Sequence, residues 1–330
     1  MVTAATLLVL GLVVKLATSQ EILFLEDPHS DRQLKISNLQ GVEQTWWFDK
    51  KLRIPGAEGT STCRHLRGFV SPMVLQRLRE LIGPHSQMRY ATGRDSVDEM
   101  VTFEYYPMTN STWQNEEVGH VLKDVLEDVV LPYVRQTYAC ETCVVGEILI
   151  RRYLPEERRT HNLHFDSHAF ATVVLGLTSP DEYQGGLYIQ STPHIRSRRY
   201  VHLEPGDLFV HSFDLQHGVR LWQGERYSLV FWIKTSESAV VEGTTPWYDE
   251  AVAQGDPDAM VNMADQYLQG AGREVDVQKA VTLYQEAASL GHYAAQNHLS
   301  MLISESDPST AFRWLHSAAA SGAAVAQKSL

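Results

Sequence analysis

Three residue types within one short segment could do chemistry together. The segment is His161-Asn162-Leu163-His164-Phe165-Asp166-Ser167-His168. On an extended chain, residues i and i+2 share a face. His164 and Asp166 therefore put an imidazole and a carboxylate on one side. Those are two of the three donors of a 2-His-1-carboxylate facial site, the arrangement suited to non-haem Fe(II). The third donor must come from elsewhere in the chain. His217 is the best candidate, in Phe213-Asp214-Leu215-Gln216-His217-Gly218-Val219. The chain has 14 histidines, and a lone H-x-D pattern recurs by chance. A bland reading, a polar strand end with surface side chains, competes with the metal reading.

The sequence downstream adds a fourth group. Gly224 marks a turn, and Arg226-Tyr227-Ser228-Leu229-Val230-Phe231-Trp232 follows. On a strand, Arg226, Ser228, Val230 and Trp232 face one way, and Tyr227, Leu229, Phe231 and Ile233 the other. An inward arginine is costly unless it meets an anion. A guanidinium fork suits a carboxylate, so a dicarboxylate co-substrate or an internal acid would satisfy it. His161 and His168 flank the motif and read as surface or packing residues. His194, His202 and His211 have no identifiable partner. Arg151, Arg152, Arg158, Arg159, Arg196, Arg198 and Arg199 crowd the approach, either as a solvated charge run or as a basic rim.

The elements that must hold these groups can be read around them. Ser71 is a good N-cap and Pro72 suits the first helical position. Val74, Leu75, Leu78 and Leu81 follow at helical spacing until Gly83-Pro84. A second amphipathic helix is predicted over residues 117–135. Strands are predicted at Val144–Tyr153, Phe170–Thr178, Gly186–Ile189, Tyr200–Leu203, Asp207–Phe213 and Arg226–Thr235, separated by turn signals such as Ser179-Pro180-Asp181, Gly185-Gly186 and Pro205-Gly206-Asp207. Helices followed by many short strands predict an α+β domain, an antiparallel double-sheet barrel with helices on one side.

Residues 63–235 resemble the prolyl 4-hydroxylase-type 2-oxoglutarate/Fe(II) dioxygenases. The matching run is Tyr153, His164-x-Asp166, Gly185-Gly186-Leu187, Pro205-Gly206-Asp207, His217 and Gly224-x-Arg226-Tyr227, in order and spacing. The resemblance implies a double-stranded β-helix (jelly-roll) core. It implies His164, Asp166 and His217 on iron, and Arg226 on the distal carboxylate of 2-oxoglutarate. It also implies Tyr153 as a co-substrate contact and L-ascorbate as the reductant that maintains Fe(II). The reaction implied is oxidative decarboxylation of 2-oxoglutarate to succinate and CO2, coupled to hydroxylation of a peptidyl residue, proline first. Two departures stand out: family members often carry lysine at the Arg226 position, and Leu175-Gly176 lies where some carry a tyrosine. The competing readings are a non-catalytic assembly protein and an oxygenase of a non-prolyl substrate.

After residue 246 the pattern changes again. Glu250–Gly255, Glu286–Gly291 and Ser317–Gly322 align, with an alanine four residues after each glycine. A glycine–alanine phase of this period marks a helix-pair solenoid. It resembles Sel1-like repeats, relatives of the tetratricopeptide fold, which implies a protein partner. The expected organisation is a signal peptide over 1–19, a lead-in over 20–62, the dioxygenase domain over 63–240 and the repeats over 247–330. The apolar run Ala4 to Val14 has signal-peptide length and falls short of the about 20 residues that a spanning helix needs. Hence no membrane span is expected, and the expected location is the secretory pathway, in the endoplasmic reticulum lumen. Asn110-Ser111-Thr112 is an N-glycosylation sequon. A net charge of −12 argues against a nucleic-acid partner, which would need a basic face. Cys140 and Cys143 form a C-x-x-C with Cys63 left over, read as a structural or incidental pair.

Overall fold

The protein is described by a computed structural model that covers residues 24–25, 63–83, 90–94, 101–190, 198–321 and 323–330. The expected signal peptide, most of the lead-in with Trp46-Trp47, and His194 and Arg196 lie outside the described residues. Among the described residues, thirteen strands run in chain order. β1 is Phe24–Leu25, β2 Cys63–Leu66, β3 Ala91–Arg94, β4 Val101–Thr109, β5 Thr112–Trp113, β6 Val144–Tyr153 and β7 Thr160–His164. β8 is Ala171–Gly176, β9 Tyr183–Gln190, β10 Arg198–Val201, β11 Leu208–Ser212, β12 His217–Gly224 and β13 Arg226–Lys234.

Two antiparallel sheets face each other. One has the order β1-β10-β9-β12-β7, and the other β2-β11-β8-β13-β6-β4-β3, with β5 beside β4. The eight strands β6–β13 thus divide between the sheets, β6, β8, β11 and β13 on one side and β7, β9, β10 and β12 on the other. That interleaving is the double-stranded β-helix, or jelly roll.

The helices cover the outer face of the larger sheet. α1 spans Pro72–Ile82, with Ser71 Oγ accepting from the Val74 N–H. It stops at Gly83, whose N–H bonds the Arg79 carbonyl. A Cβ there would lie 2.4 Å from that oxygen, so only glycine permits the close approach. The helix predicted over 117–135 is α2, Glu116–Asp124, continued by a π turn at Val125–Val130 into α3, Leu131–Thr137. Leu78, Ile82, Val118 and Leu122 pack on Ile148, Ile150, Leu229 and Phe231 of the sheet in one core. Each such side chain stabilises by about 1.5–3 kcal/mol when fully buried. The alternation is as predicted: Leu229 and Phe231 point to the helices, while Arg226, Ser228, Val230 and Trp232 line the cavity between the sheets.

The predicted strands include none of β1–β5, β7 or β12. β4 carries mostly half-buried residues, so apolar and polar positions do not alternate cleanly. The Cys140–Cys143 pair forms a disulfide just before β6, and Cys63 is free and buried.

The C-terminal helices are α4, Glu237–Glu242; α5, Pro246–Ala253; α6, Pro257–Gln269; α7, Val277–Ser289; α8, Tyr293–Ile303; α9, Pro308–Ala320; and α10, Ala324–Ser329. Gly255 and Gly291 take positive φ values of 80° and 88°, the left-handed turn that glycine supplies after a helix. Aspartates 256, 276 and 307 cap α6, α7 and α9. The repeats are not a detached appendage. Trp247, Tyr248, Ala251, Ala259 and Met263 belong to the same hydrophobic core as Phe170 and Phe213 of the barrel. The Phe213 and Tyr248 rings meet edge to face at 4.8 Å. Among the described residues, no helix is long and apolar enough to cross a membrane.

Candidate functional site

The cavity between the two sheets collects the predicted residues. His164 ends β7, His217 opens β12, and the two are register partners. Asp166 follows His164 by two residues and is 3% exposed. The ligand-type atoms of His164, Asp166 and His217 all lie within 4.8 Å of one another. His164 Nε2 is 3.5 Å from Asp166 Oδ1, and His217 Nε2 is 3.5 Å from Asp166 Oδ2.

The backbone fixes which ring nitrogen is available. His164 Nδ1 lies 2.7 Å from the Asn162 carbonyl and His217 Nδ1 lies 3.0 Å from the Leu215 carbonyl. A carbonyl only accepts, so each Nδ1 carries the proton and each Nε2 presents a lone pair. Burial pushes His217 down to about 3, which keeps its imidazole neutral. Burial works to raise the Asp166 carboxyl, but His217, His164 and His211 around it hold it well below the usual carboxylate range. An anionic oxygen facing two imidazole lone pairs is a poor arrangement by itself and a good one around a divalent cation. The donor set therefore fits a metal ion of the Fe(II) kind.

Neighbours that sequence reasoning missed complete the surroundings. Thr172 Oγ1 donates to Asp166 Oδ2 at 2.6 Å. His211, expected to have no partner, is fully buried, with its ring 4.5 Å from His217. Its Nδ1 lies 2.9 Å from the Ser212 carbonyl, and its Nε2 is 3.8 Å from Asp166 Oδ2. His161 and His168 are half-buried and take the packing role. The His161 ring lies 4.1 Å from His164, and His168 packs edge-on against Trp232 at 4.4 Å. Apart from His161 and His164, which share β7, these side-chain pairings join residues that do not share a strand, so no single strand signals them.

Arg226 lies on the same cavity wall and is 4% exposed. Its register partner is Tyr153, and the guanidinium carbon sits 6.0 Å from the Tyr153 ring centre. Its Nη1 donates to Ser228 Oγ at 3.1 Å, and the Tyr183 hydroxyl is within hydrogen-bonding reach. Both contacts are neutral. Arg226 makes no ion pair with a carboxylate among the described residues, so the internal-acid reading of this arginine fails. Tyr183 reaches it because Gly186, at φ +116°, leaves the space that its ring fills; a Cβ there would come within 2.9 Å of that ring.

Two arginines of the expected basic rim are paired with acids. Arg151 pairs with Glu104 and Arg152 with Glu157. Arg159 donates to the Trp222 carbonyl at 3.0 Å, and Arg158 to the Thr160 carbonyl. Arg198 bonds Gln190 and lies over the Tyr188 ring. Arg151 and Arg152 are thus neutralised inside the protein, while Arg158, Arg159 and Arg198 bond neutral groups.

The family model of the Sel1 repeat matches residues 257–292 and 294–322. No curated protein matches the chain in sequence. Similar solved structures include a 2OG-Fe(II) oxygenase family oxidoreductase from Burkholderia pseudomallei, at 17% identity and TM-score 0.42, covering 53% of this chain and 85% of that one. Another is a viral collagen prolyl hydroxylase from Paramecium Bursaria Chlorella virus-1, in its 2OG complex, at 14% identity and TM-score 0.37, covering 52% of this chain and 94% of that one. A Sel1 repeat protein from Oxalobacter formigenes is 30% identical with TM-score 0.25, over 26% of this chain and 36% of that one. The fold assignment rests on the strand order itself, and these likenesses are of the fold.

Proposed function

We propose that this chain is an Fe(II)- and 2-oxoglutarate-dependent dioxygenase that hydroxylates a peptidyl residue, with proline as the first choice. The observation that carries the reading is a buried guanidinium with no anion, in the same cavity as the His-Asp-His group. A buried cation left without a counter-charge costs several kcal/mol by the usual accounting, of order 3–5. A site that keeps one is built to receive a carboxylate.

In this reading His164 and His217 hold the metal through Nε2, and Asp166 through its carboxylate. Arg226, with Tyr183 and Ser228 on either side, takes the distal carboxylate of 2-oxoglutarate. Tyr153 walls the same end of the cavity. Bound iron and 2-oxoglutarate, with dioxygen as the oxidant, would supply the oxidising chemistry: one oxygen atom of O2 would enter succinate as CO2 leaves, and the other would become the new hydroxyl. The protein orients and shields: Leu149, Val174, Leu187, Val219 and Val230 line the cavity with hydrocarbon. Proline as the acceptor rests on the resemblance to the prolyl 4-hydroxylase-type dioxygenases alone. L-ascorbate is the expected reductant for stray Fe(III). A lumenal location in the secretory pathway is supported by the leading apolar run and by the Cys140–Cys143 disulfide, which persists in oxidising compartments.

The test is succinate release by residues 20–330 with Fe(II), ascorbate and 2-oxoglutarate, with and without a proline-rich peptide, beside His164→Ala. Release that disappears in His164→Ala and rises with the peptide supports the full reading. Peptide-independent release supports the oxygenase and leaves proline unsupported. A wild-type chain that binds Fe(II) and makes no succinate refutes it.

A further inference from the structure

A second cavity opens where the barrel meets the repeats. It holds about 360 Å³ and is lined from both sides. Glu147, Ser167, His168 and Lys234 come from the barrel, and Asp265 and Gln269 from α6 of the repeats.

The cavity adjoins the metal site. Along β6, Leu149 lines the metal cavity and Glu147, two residues earlier on the same face, lines the cleft. Along β13, Trp232 lines the first and Lys234 the second. Asp166 belongs to the metal group, while Ser167 and His168, the next two residues, face the cleft. Trp232 and His168, in ring contact at 4.4 Å, form the sill between the two spaces.

The polar groups at this sill are left unused. The Trp232 Nε1–H is buried with no hydrogen-bond partner. Glu147, half-buried, makes no hydrogen bond or ion pair among the described residues, and the Ser167 hydroxyl makes no hydrogen bond there. Lys234 is committed, donating to the His168 carbonyl. Glu147 and Ser167 are half-buried on the cleft wall, so both are free to bond a ligand there. An acceptor and a hydroxyl on the wall of an open cleft can bond the N–H and C=O of an extended main chain. The ionised lining groups are Glu147, Asp265 and Lys234, which sum to −1 and favour a neutral or basic segment.

We propose that this cleft binds the polypeptide substrate as an extended, neutral-to-basic segment, and that the Sel1 repeats serve as its outer wall. The acceptor residue then passes over the Trp232–His168 sill to the metal. The proposal rests on the dioxygenase reading above and assigns its substrate path. It makes the repeats part of the active site rather than a remote docking arm.

The experiment uses the full chain and two synthetic 15-residue peptides sharing one Pro-Gly centre, one flanked by lysines and the other by glutamates. The quantity read is the ratio of peptide-driven to peptide-independent succinate release. Wild type should respond to the lysine peptide more than to the glutamate peptide. Glu147→Lys should lose that preference by about tenfold, the size of one hydrogen bond to a charged group. Gln269→Trp, at an exposed cleft position, should lower the response to both peptides about tenfold by narrowing the cleft. Gln278→Trp, exposed on α7 outside the cleft, should match wild type, and unchanged melting temperatures establish that the variants fold. A response in Gln269→Trp and Glu147→Lys equal to wild type overturns the cleft and leaves the oxygenase standing. Peptide-independent succinate with no response to either peptide also overturns the polypeptide occupant alone. No succinate under any condition overturns the oxygenase reading, and this proposal with it.

Discussion

Replacing Arg226 by methionine removes a buried charge while keeping most of the side-chain volume. Without ligand, the guanidinium has only Ser228 and Tyr183 as neutral partners and is 4% exposed. The empty protein therefore carries an uncompensated desolvation cost. Exchanging such a group for a hydrophobic one is often neutral or stabilising, by about 1–4 kcal/mol in favourable cases. Binding of 2-oxoglutarate should move the opposite way. Breaking a buried charge pair costs about 3–5 kcal/mol, which is roughly 100- to 3,000-fold in affinity at about 1.4 kcal/mol per decade. Arg226→Lys keeps the charge and loses the fork, so a milder loss, about tenfold, is expected. The assay is thermal unfolding with Fe(II) under anaerobic conditions, with and without 2-oxoglutarate, beside KM for 2-oxoglutarate. Ligand at a hundred times its Kd stabilises wild type by about 2.7 kcal/mol. That is a melting shift of about 5–10 °C at about 2–4 °C per kcal/mol for chains near this size. Arg226→Met should melt no lower than wild type without ligand and show no shift with it. A variant that melts far lower when empty, or keeps a wild-type KM, would refute the reasoning, because the guanidinium would then be structural.

Thr172→Val deletes the 2.6 Å bond to Asp166 Oδ2 and should weaken Fe(II) or Co(II) binding about tenfold or more, read by metal titration; unchanged affinity would remove Thr172 from the site. A chain ending at residue 246 should be insoluble or melt far below the full chain, since Trp247 and Tyr248 fill the core beside Phe170 and Phe213; a stable product of that length would show that the core is not shared. The caps predict an acid limit for the repeats. Asp276 and Asp307 are lowered from 3.8, chiefly by the backbone N–H groups of Lys279 and Thr310. A depressed folded-state value gives stability that is full above the unfolded value of 3.8 and fades as pH falls through the lower folded one. Unfolding curves from pH 5 to 2 should show that loss, and the double Asp276→Asn, Asp307→Asn variant should flatten it; an unaltered pH profile would count against capping as its source. Asp256→Ala should cost about 1 kcal/mol or more, since this buried cap takes the N–H groups of both Asp258 and Ala259, measured as a lowered melting temperature.

The sequence alone determined what depends on short-range periodicity. His164 and Asp166 share a face because the strand period is two, and Arg226, Ser228 and Trp232 share another for the same reason. Ser71, Pro72 and Gly83 bounded a helix through capping chemistry that acts within four residues. The glycine–alanine phase announced the repeats. Tertiary structure decided everything that needed two distant strands in register. It set His217 opposite His164, brought Thr172 and His211 to Asp166, and put Tyr183 beside Arg226. It also decided the fate of the arginines: Glu104 and Glu157 neutralise Arg151 and Arg152, and no count of charge along the chain could show that. Finally, it folded the repeats onto the barrel, because aromatic rings at 213 and 248, both nearly fully buried, are excluded from water only when they meet each other.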